Sequence, residues 1–274
     1  MSKADLGEVK VGDGCPVAII GVLNLSQESF YSGSVVRGSA QAVRQAKRML
    51  EQGADIIDVG AVSTAPNVEP ISLDTERRRI LSIIKILANK IDAPISVDTQ
   101  RAAIAEEALE FGAKIINDVS GLKSDPRMAD VVAKSRCSAI LMAARKRPGD
   151  VRTVDEIKRA LDDSLKICGR NKIDIQKIVI DPGIGFGKGR DYDVRILANL
   201  GNLKGLGRPI CVAVSRKAFI GRILGLKDPA DRLAGSLAAT AVAVINGANV
   251  VRTHDVEETL RAVRVAEATR RAKD

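Results

Sequence analysis

The sequence predicts an α/β protein in which eight strand–helix units form one closed (β/α)₈ barrel, and three observations support this. Eight short runs rich in β-branched residues recur along the 274 residues, about 35 residues apart on average. Longer segments with apolar positions three and four residues apart lie between many of these runs, as is typical of amphipathic helices. No Pro- or Ser-rich linker interrupts the series, which predicts a single domain over residues 1–274.

The eight runs are apolar on both faces, which is typical of parallel strands covered by helices. They are residues 16–23, 55–60, 94–98, 114–119, 138–142, 177–181, 210–215 and 249–253. The clearest predicted helices are residues 39–52, 73–89, 100–111 and 256–272. Units this closely spaced leave no room for a second core and favour a barrel. A doubly wound open sheet is the alternative arrangement of the same units.

Composition narrows the class of protein. Hydrophobic residues make up 45% of the chain, which excludes a disordered protein because this much apolar surface can offset the entropy of ordering. No run approaches the roughly 20 apolar residues of a membrane helix, and the opening residues lack the apolar region of a signal peptide. We therefore expect a soluble, cytoplasmic protein.

The net charge of +9 could indicate a nucleic-acid partner, but the chain has no tryptophan, two tyrosines and four phenylalanines. Stacking platforms for single strands are therefore nearly absent, and we expect no nucleic acid and no membrane partner. The four cysteines are far apart and His254 is the only histidine, which argues against a zinc site. We expect all four cysteines to be reduced and buried.

Polar residues recur where the predicted strands end. They are Asn24, Asp58, Asp98, Asn117, Asp118, Asp181, Ser215, Arg216, Lys217, Arg252, Thr253 and His254. The carboxyl ends of barrel strands converge on one mouth, where barrel enzymes carry their active sites. The pattern therefore predicts a small-molecule site. A single strand-end residue can also cap the next helix, which is the alternative role of Asp98 and His254, and we expect Asp118 to be structural.

The chemistry of these residues falls into two groups. Asp58, Asp98, Asn117 and Asp181 offer carboxylate and amide groups, which suit the edge of a flat heterocycle with amino and lactam groups. Lys217, Arg252 and His254 offer hydrogen-bond donors, which suit phosphate oxygens. Together they predict a ring attached to a charged leaving group.

The glycine-rich segment 181–189 fits neither a dinucleotide-binding nor a P-loop pattern. It lacks the third glycine of the first pattern and the Gly-Lys-Ser/Thr ending of the second. We interpret its glycines as allowing the backbone to approach a ligand closely.

Seven segments in order resemble the dihydropteroate synthase family, whose members are pterin-binding TIM barrels. They are GVLNLSQESF from residue 21, GADIIDVGAVSTAP from 53, ISVDT from 95, GAKIINDVSG from 112, DPGIGFGK from 181, SRKAFIG from 215 and VRTHDV from 251. The resemblance extends from Gly21 to about Ala268. It implies a transferase that condenses 6-hydroxymethyl-dihydropterin diphosphate with an arylamine and releases diphosphate, in folate or methanopterin-type coenzyme biosynthesis.

The resemblance also implies a role for each matching residue. The catalytic residues would be Asp58, Asp98 and Lys217, with Asp58 near the reacting carbon. The pterin would be bound by Asp98, Asn117, Met142, Asp181 and Lys217. The diphosphate would be bound by Asn24, Arg252 and His254, with Asn24 acting through Mg²⁺. The arylamine would face Thr64, Pro66, Phe186 and Ser215. Members of the family tend to dimerise, which implies a homodimer, and residues 237–245 are a candidate interface.

Departures from the family pattern fall in loops on the arylamine side. Gln27 and Glu28 replace the usual proline and aspartate, and Ala65 replaces an arginine. Residues 143–148 read Ala-Ala-Arg-Lys-Arg-Pro in place of His-Met-Arg-Gly-Thr-Pro. The three cations at 145–147 could receive a phosphate on a larger arylamine, such as a ribosylated aminobenzene phosphate, or form a solvated basic loop.

Two other functions use the same fold. A pterin-dependent, corrinoid-linked methyltransferase would need no diphosphate site, so the cationic group argues against it. A catalytically silent pterin-binding homologue would bind the pterin diphosphate but release no pyrophosphate.

Overall fold

A computed structural model describes residues 2–25, 36, 38–61, 71–187 and 189–272. The strands in chain order are β1 (Lys3–Leu6), β2 (Val9–Gly12), β3 (Ala18–Asn24), β4 (Ile56–Gly60), β5 (Ile95–Asp98), β6 (Ile115–Asp118), β7 (Ser138–Met142), β8 (Ile178–Asp181), β9 (Cys211–Val212) and β10 (Val250–Thr253). The α-helices are α1 (Ser39–Glu51), α2 (Leu73–Leu87), α3 (Ala102–Glu110), α4 (Met128–Ser135), α5 (Val154–Arg170), α6 (Arg190–Ala198), α7 (Ala218–Leu224), α8 (Leu233–Ile245) and α9 (Val256–Arg271).

Strands β3 to β10 form the predicted parallel barrel, in the order β8-β7-β6-β5-β4-β3-β10-β9. Its two outer strands meet through a parallel bridge between Ile180 and Ile210. The Ile180 N–H also donates to the carbonyl of Pro209 at 3.0 Å. This contact nearly closes the barrel, so the open-sheet alternative is wrong. Each of the eight predicted runs contains or overlaps one barrel strand.

The first two strands form an antiparallel hairpin that closes the amino-terminal end of the barrel. The hairpin buries Ala4, Leu6 and Val11 against the lower side chains of the barrel interior. It is attached to β7 through Ser138, whose hydroxyl donates to the Asp5 carbonyl at 2.8 Å and accepts from the Gly7 N–H at 2.9 Å. This hairpin is not among the elements predicted from the sequence.

Local signals in the sequence explain where the longer helices begin. Thr153 and Glu156 form a capping box at the start of α5, and the Ser72 side chain caps α2. The apolar face of each helix packs against outward-facing strand residues, for example Ile80 and Ile84 of α2 with Ile57 and Val97. The helices therefore fix the outer face of the barrel, and the strand ends can carry polar residues.

None of the helices in the described ranges is long and apolar enough to cross a membrane. The cytoplasmic location stays a prediction. Three of the four free cysteines are buried, but Cys15 is half-buried. The expectation that all four are buried is thus wrong for Cys15, which follows β2 in a turn at the surface of the barrel floor.

Candidate active site

The inner wall of the barrel has an apolar layer and, closer to the mouth, a polar layer. Inward-facing residues alternate with helix-facing ones along each strand. The apolar layer includes Ile20, Ile56, Ile115, Ile140, Val179 and Val250. Two positions further along, the same strand faces carry Asp58, Asn117, Asp181 and Arg252, and Asp98 stands two residues after the buried Ser96. The alternation thus places the predicted polar residues inside the mouth.

Arg252, on β10, binds acidic residues of β4 and β5 across the barrel interior. Its Nε donates to Asp58 Oδ2 at 2.6 Å and its Nη2 donates to Asp98 Oδ2 at 2.8 Å. Two strands, β3 and β4, separate β10 from β5 in the barrel wall, so the second bond must cross the barrel. The Asn117 amide also points to Asp58 Oδ2, at 3.4 Å. The side chains of Asp58 and Asp98 are 1% and 7% exposed, against 16% for Arg252.

Burial sets the protonation of this network. It raises the pKa of Asp98 to about 7; Arg252 opposes the rise and Asp58 adds to it. Burial also lowers the pKa of Arg252, but the attraction of Asp58 and Asp98 outweighs this and the net shift is upward. Oδ1 of Asp58 is buried and has no hydrogen-bond partner among the described residues. A buried carboxylate oxygen of this kind needs a donor, and a bound ligand can supply one.

The second part of the mouth is formed by the loop after β8. Asp181 accepts from the Gly183 N–H at 2.6 Å and is aligned with the buried Met142 of β7. The ammonium of Lys217 lies 4.1 Å from the centre of the Phe186 ring. Gly185 has φ +83°, and a Cβ there would lie 2.4 Å from Cδ of Lys217. Only glycine therefore lets the lysine stem run this close to the loop.

The third part contains the only histidine of the chain. His254 Nδ1 and the Ser215 hydroxyl share a hydrogen bond of 2.9 Å, and His254 Nε2 lies 3.3 Å from Asn24 Nδ2. Burial lowers the pKa of His254 to about 3, with further lowering by nearby cations, Arg252 first. The role of His254 at the diphosphate stays a prediction. The imidazole is neutral at pH 7, so it provides a hydrogen-bonding group and no charge.

A buried ion pair between Arg216 and Asp255 holds the backbone next to this histidine. Arg216 binds both carboxylate oxygens of Asp255, at 2.9 and 2.7 Å, and donates to the carbonyls of Pro229 and Ala230. Asp255 neighbours His254 in the chain, so the pair fixes the start of α9 relative to Ser215. Sequence reasoning placed Arg216 at a strand end but gave neither residue a role. The signal in the sequence was that Arg216 lies between two predicted site residues, Ser215 and Lys217, and that Asp255 directly follows His254.

The structure brings nearly all predicted residues to one end of the barrel, in these three groups. They are Asp58, Asp98, Asn117 and Arg252 in the first, Met142, Asp181, Phe186 and Lys217 in the second, and Asn24, Ser215 and His254 in the third. Thr64, Pro66, Ala65 and the 26–28 segment lie outside the described residues. Asp118 points away from the interior and accepts from the N–H groups of Ser120 and Leu122, in agreement with its structural role.

The loop after β7 is held by its own carboxylate. Asp150 accepts from three consecutive N–H groups, those of Arg145, Lys146 and Arg147, at 2.7 to 3.2 Å. The Arg145 guanidinium also binds Glu156 at 2.6 Å. Two carboxylates therefore already offset part of the positive charge of this loop.

In the described ranges, no group of three or more His, Cys, Asp or Glu side chains is placed to hold a metal ion. The amide of Asn24, the predicted metal ligand, lies at the mouth 3.3 Å from His254. Such a donor set suits Mg²⁺, which takes most of its oxygens from phosphate and water and few from protein.

Comparison with known proteins identifies the family. Residues 20–254 match the family described as pterin binding enzyme. Dihydropteroate synthase of Synechocystis is 38% identical over 259 residues, which cover 91% of this chain and 89% of the relative. A crystal structure of Yersinia pestis dihydropteroate synthase with a sulfonamide drug complex matches with a TM-score of 0.90 and 32% identity over 98% and 99% of the two chains. The Xanthomonas albilineans enzyme with 4-aminobenzoic acid matches with a TM-score of 0.86 and 33% identity over 97% of both chains. The chain therefore belongs to the dihydropteroate synthase family of pterin-binding enzymes.

Proposed function

We propose that this transferase condenses 6-hydroxymethyl-dihydropterin diphosphate with p-aminobenzoate and releases diphosphate. The observation that carries the proposal is the polar layer inside the mouth, where two buried carboxylates, an amide and an arginine from four different strands form one hydrogen-bonded network. A methyltransferase would not need the adjacent anion-binding residues, and full-length relatives at 38% identity are dihydropteroate synthases.

The pterin ring would be bound by hydrogen bonds at its edge and by packing on its face. Asp98 and Asp181 accept from ring N–H and amino groups, while Asn117 both donates and accepts. Met142 provides an apolar surface, and Lys217 provides a donor to a ring acceptor. Burial of these groups favours a ligand that satisfies all of them over one that leaves a carboxylate without a donor.

The diphosphate would be bound beside the ring by Arg252, Asn24 and His254. Arg252 supplies charge, whereas the neutral imidazole of His254 can supply only one hydrogen bond as donor. Asn24 would hold Mg²⁺ through its amide oxygen. When bound, this ion neutralises negative charge on the leaving diphosphate.

In the reaction, the bond between the methylene carbon and the diphosphate oxygen breaks, and a bond from the amine nitrogen to that carbon forms. Positive charge develops on the methylene and spreads into the ring, and the fixed carboxylate of Asp58 stabilises it. The amine is already neutral at pH 7 and loses its proton after attack, so no strong general base is needed. Phe186 and Ser215 would face the amine, together with Thr64 and Pro66.

The basic loop at residues 145–147 does not favour a phosphorylated arylamine. Arg145 is already paired with Glu156, and the backbone donors of the loop are taken by Asp150. A phosphate there would meet two carboxylates as well as the cations. We therefore assign p-aminobenzoate as the second substrate and interpret the loop as a surface feature.

We also propose that the enzyme forms a homodimer through helices α7 to α9. Ile223, Leu224, Val242 and Val265 on these helices are large apolar side chains between 42% and 69% exposed. An exposed apolar set of this kind is typical of a protein interface. Sedimentation of the purified protein as a monomer at micromolar concentration would contradict this.

A pyrophosphate-release assay tests the reaction. Purified protein is given the pterin diphosphate, Mg²⁺ and a panel of arylamines that includes p-aminobenzoate and a ribosylated aminobenzene phosphate. We expect turnover with p-aminobenzoate and a loss of about 10²-fold or more in kcat/KM for Lys217→Met. Lys47→Met, an exposed change of the same residue type on α1, is the matched control. Absence of pyrophosphate release with every amine would leave a silent pterin-binding homologue, and preference for the phosphorylated amine would reverse the substrate assignment.

A further inference from the structure

Arg252 is required in two places by the function proposed above, and this inference depends on that function. The diphosphate needs the guanidinium as a charged donor. In the structure, however, the guanidinium is already bound to Asp58 and Asp98 at 2.6 and 2.8 Å. Both carboxylates belong to the group that would face the pterin and its reacting carbon.

The arginine occupies carboxylate oxygens that the ring would need. The two carboxylates are 1% and 7% exposed, and the arginine side chain is 16% exposed. The apolar layer and the hairpin close the barrel below them. A ring that binds Asp58 and Asp98 must therefore compete with the guanidinium for the oxygens that hold it.

The chemistry of the two donors is similar. A guanidinium is a planar carbon bonded to three nitrogens that carry N–H groups. The amino-pyrimidinone edge of a pterin is also a planar carbon with three nitrogens, two of which can donate. Carboxylates arranged to accept from one can accept from the other. The arginine thus satisfies, in the unliganded protein, acceptors that would otherwise be buried without a donor.

We propose that Arg252 is an internal placeholder for the pterin ring, which the diphosphate draws away from Asp58 and Asp98 when the substrate binds. Occupation of the diphosphate site then frees the carboxylates for the ring, and occupation by the ring frees the arginine for the diphosphate. The two halves of the substrate are therefore positively coupled, and the coupling factor is the same in both directions. A substrate without its diphosphate tail competes with Arg252 and binds weakly for that reason.

Calorimetric titration with the two halves as separate probes tests this. The probes are 6-hydroxymethylpterin, which has no diphosphate, and inorganic pyrophosphate at constant Mg²⁺. Each is titrated alone and in the presence of saturating amounts of the other. We expect each affinity to rise at least fivefold in the presence of the other probe, by the same factor within error. Independent or competitive binding would overturn the placeholder role.

Variants decide whether Arg252 carries the coupling. In Arg252→Met we expect the tailless pterin to bind at least as tightly as to the wild type, with no gain from pyrophosphate. If this variant does not fold, Arg252→Lys, which keeps the charge but cannot reach two carboxylates in fork geometry, is expected to show a smaller coupling factor. Arg78→Met, matched in residue type and exposed on α2, should keep the wild-type factor.

Full coupling in Arg252→Met would assign the effect to other groups and refute the inference. Turnover without coupling in the wild type would refute the placeholder but leave the reaction intact. Coupling without pyrophosphate release would do the opposite, so the two proposals fail separately.

Discussion

Replacement of Asp98 by asparagine should remove a defined part of the pH dependence of stability. The pKa of this carboxyl is about 7 in the folded protein and 3.8 in the unfolded chain, with burial as the main cause. Because the folded-state value is the higher one, the folded protein binds more protons than the unfolded chain between these two values. The stability contributed by this group is therefore fully present below pH 3.8 and is lost as the pH rises through 7.

The size of the effect follows from these two values. Between pH 8 and pH 5, the folded state takes up a proton at Asp98 that the unfolded chain does not, over roughly two pH units. At roughly 1.4 kcal/mol per pH unit, this adds roughly 2–3 kcal/mol to the free energy of unfolding at pH 5 relative to pH 8. The amide of the Asp98→Asn variant cannot titrate, so the variant should lack this increment. The change also removes one of the two partners of Arg252, which affects both pH values.

Urea denaturation of both proteins at pH 8 and pH 5 measures the increment as a double difference. Carboxyls remote from Asp98 contribute equally to the two proteins and cancel, whereas the carboxyl of Asp58 interacts with Asp98 and its change is part of the measured increment. Asp130→Asn, an exposed change on α4, is the control and should follow the wild type. A double difference below about 1 kcal/mol would refute the reasoning that burial dominates at Asp98. The same variant should lose pterin affinity, so a fully active Asp98→Asn would also remove this residue from the site.

Three further changes test separate parts of the structure. Gly185→Ala places a methyl group against the Lys217 stem in a positive-φ conformation, so steady-state kinetics should show the KM for the pterin diphosphate rising about tenfold; an unchanged KM would contradict the close approach. Leu6→Ala opens a cavity in the fully buried barrel floor and should lower the free energy of unfolding by about 2–5 kcal/mol in urea, against about 0.5 kcal/mol or less for the exposed Val194→Ala on α6. Lys123→Met removes one charged donor from the Ala144 and Ala160 carbonyls and the Ser164 hydroxyl, each 2.7 to 2.8 Å from its ammonium; calorimetry should show a fall in Tm corresponding to about 2–4 kcal/mol, and an unchanged Tm would contradict this.

The sequence was sufficient to predict the barrel because its strands are apolar on both faces and end in polar residues. The side chain of Asp58 faces the interior because Ile56, two residues earlier, does so too, and this periodicity can be read without coordinates. The hairpin at residues 3–12 escaped prediction because its strands have four residues each. Its turn also uses Glu8 at φ 81°, a residue type that does not indicate a positive φ.

Pairings within the site depend on distances across the barrel, which a sequence pattern does not contain. Arg252 was assigned to the anion side from its residue type, whereas its nearest acceptors stand on β4 and β5. The protonation state of His254 likewise cannot be read from the sequence. Its neutrality results from burial among Arg252, Lys217 and Arg216, which converge only in the folded chain.

Because the hairpin closes the floor of the barrel, the described part of the chain leaves the mouth as the route by which substrates reach the polar layer. Both substrates and both products must then enter and leave through the mouth. The molecule that binds deepest in the barrel has to bind first and dissociate last. If the ring occupies the polar layer, an amine that arrives early only obstructs the passage. The short hairpin at the amino-terminal end of the barrel would in this way determine the order in which substrates bind at the opposite end.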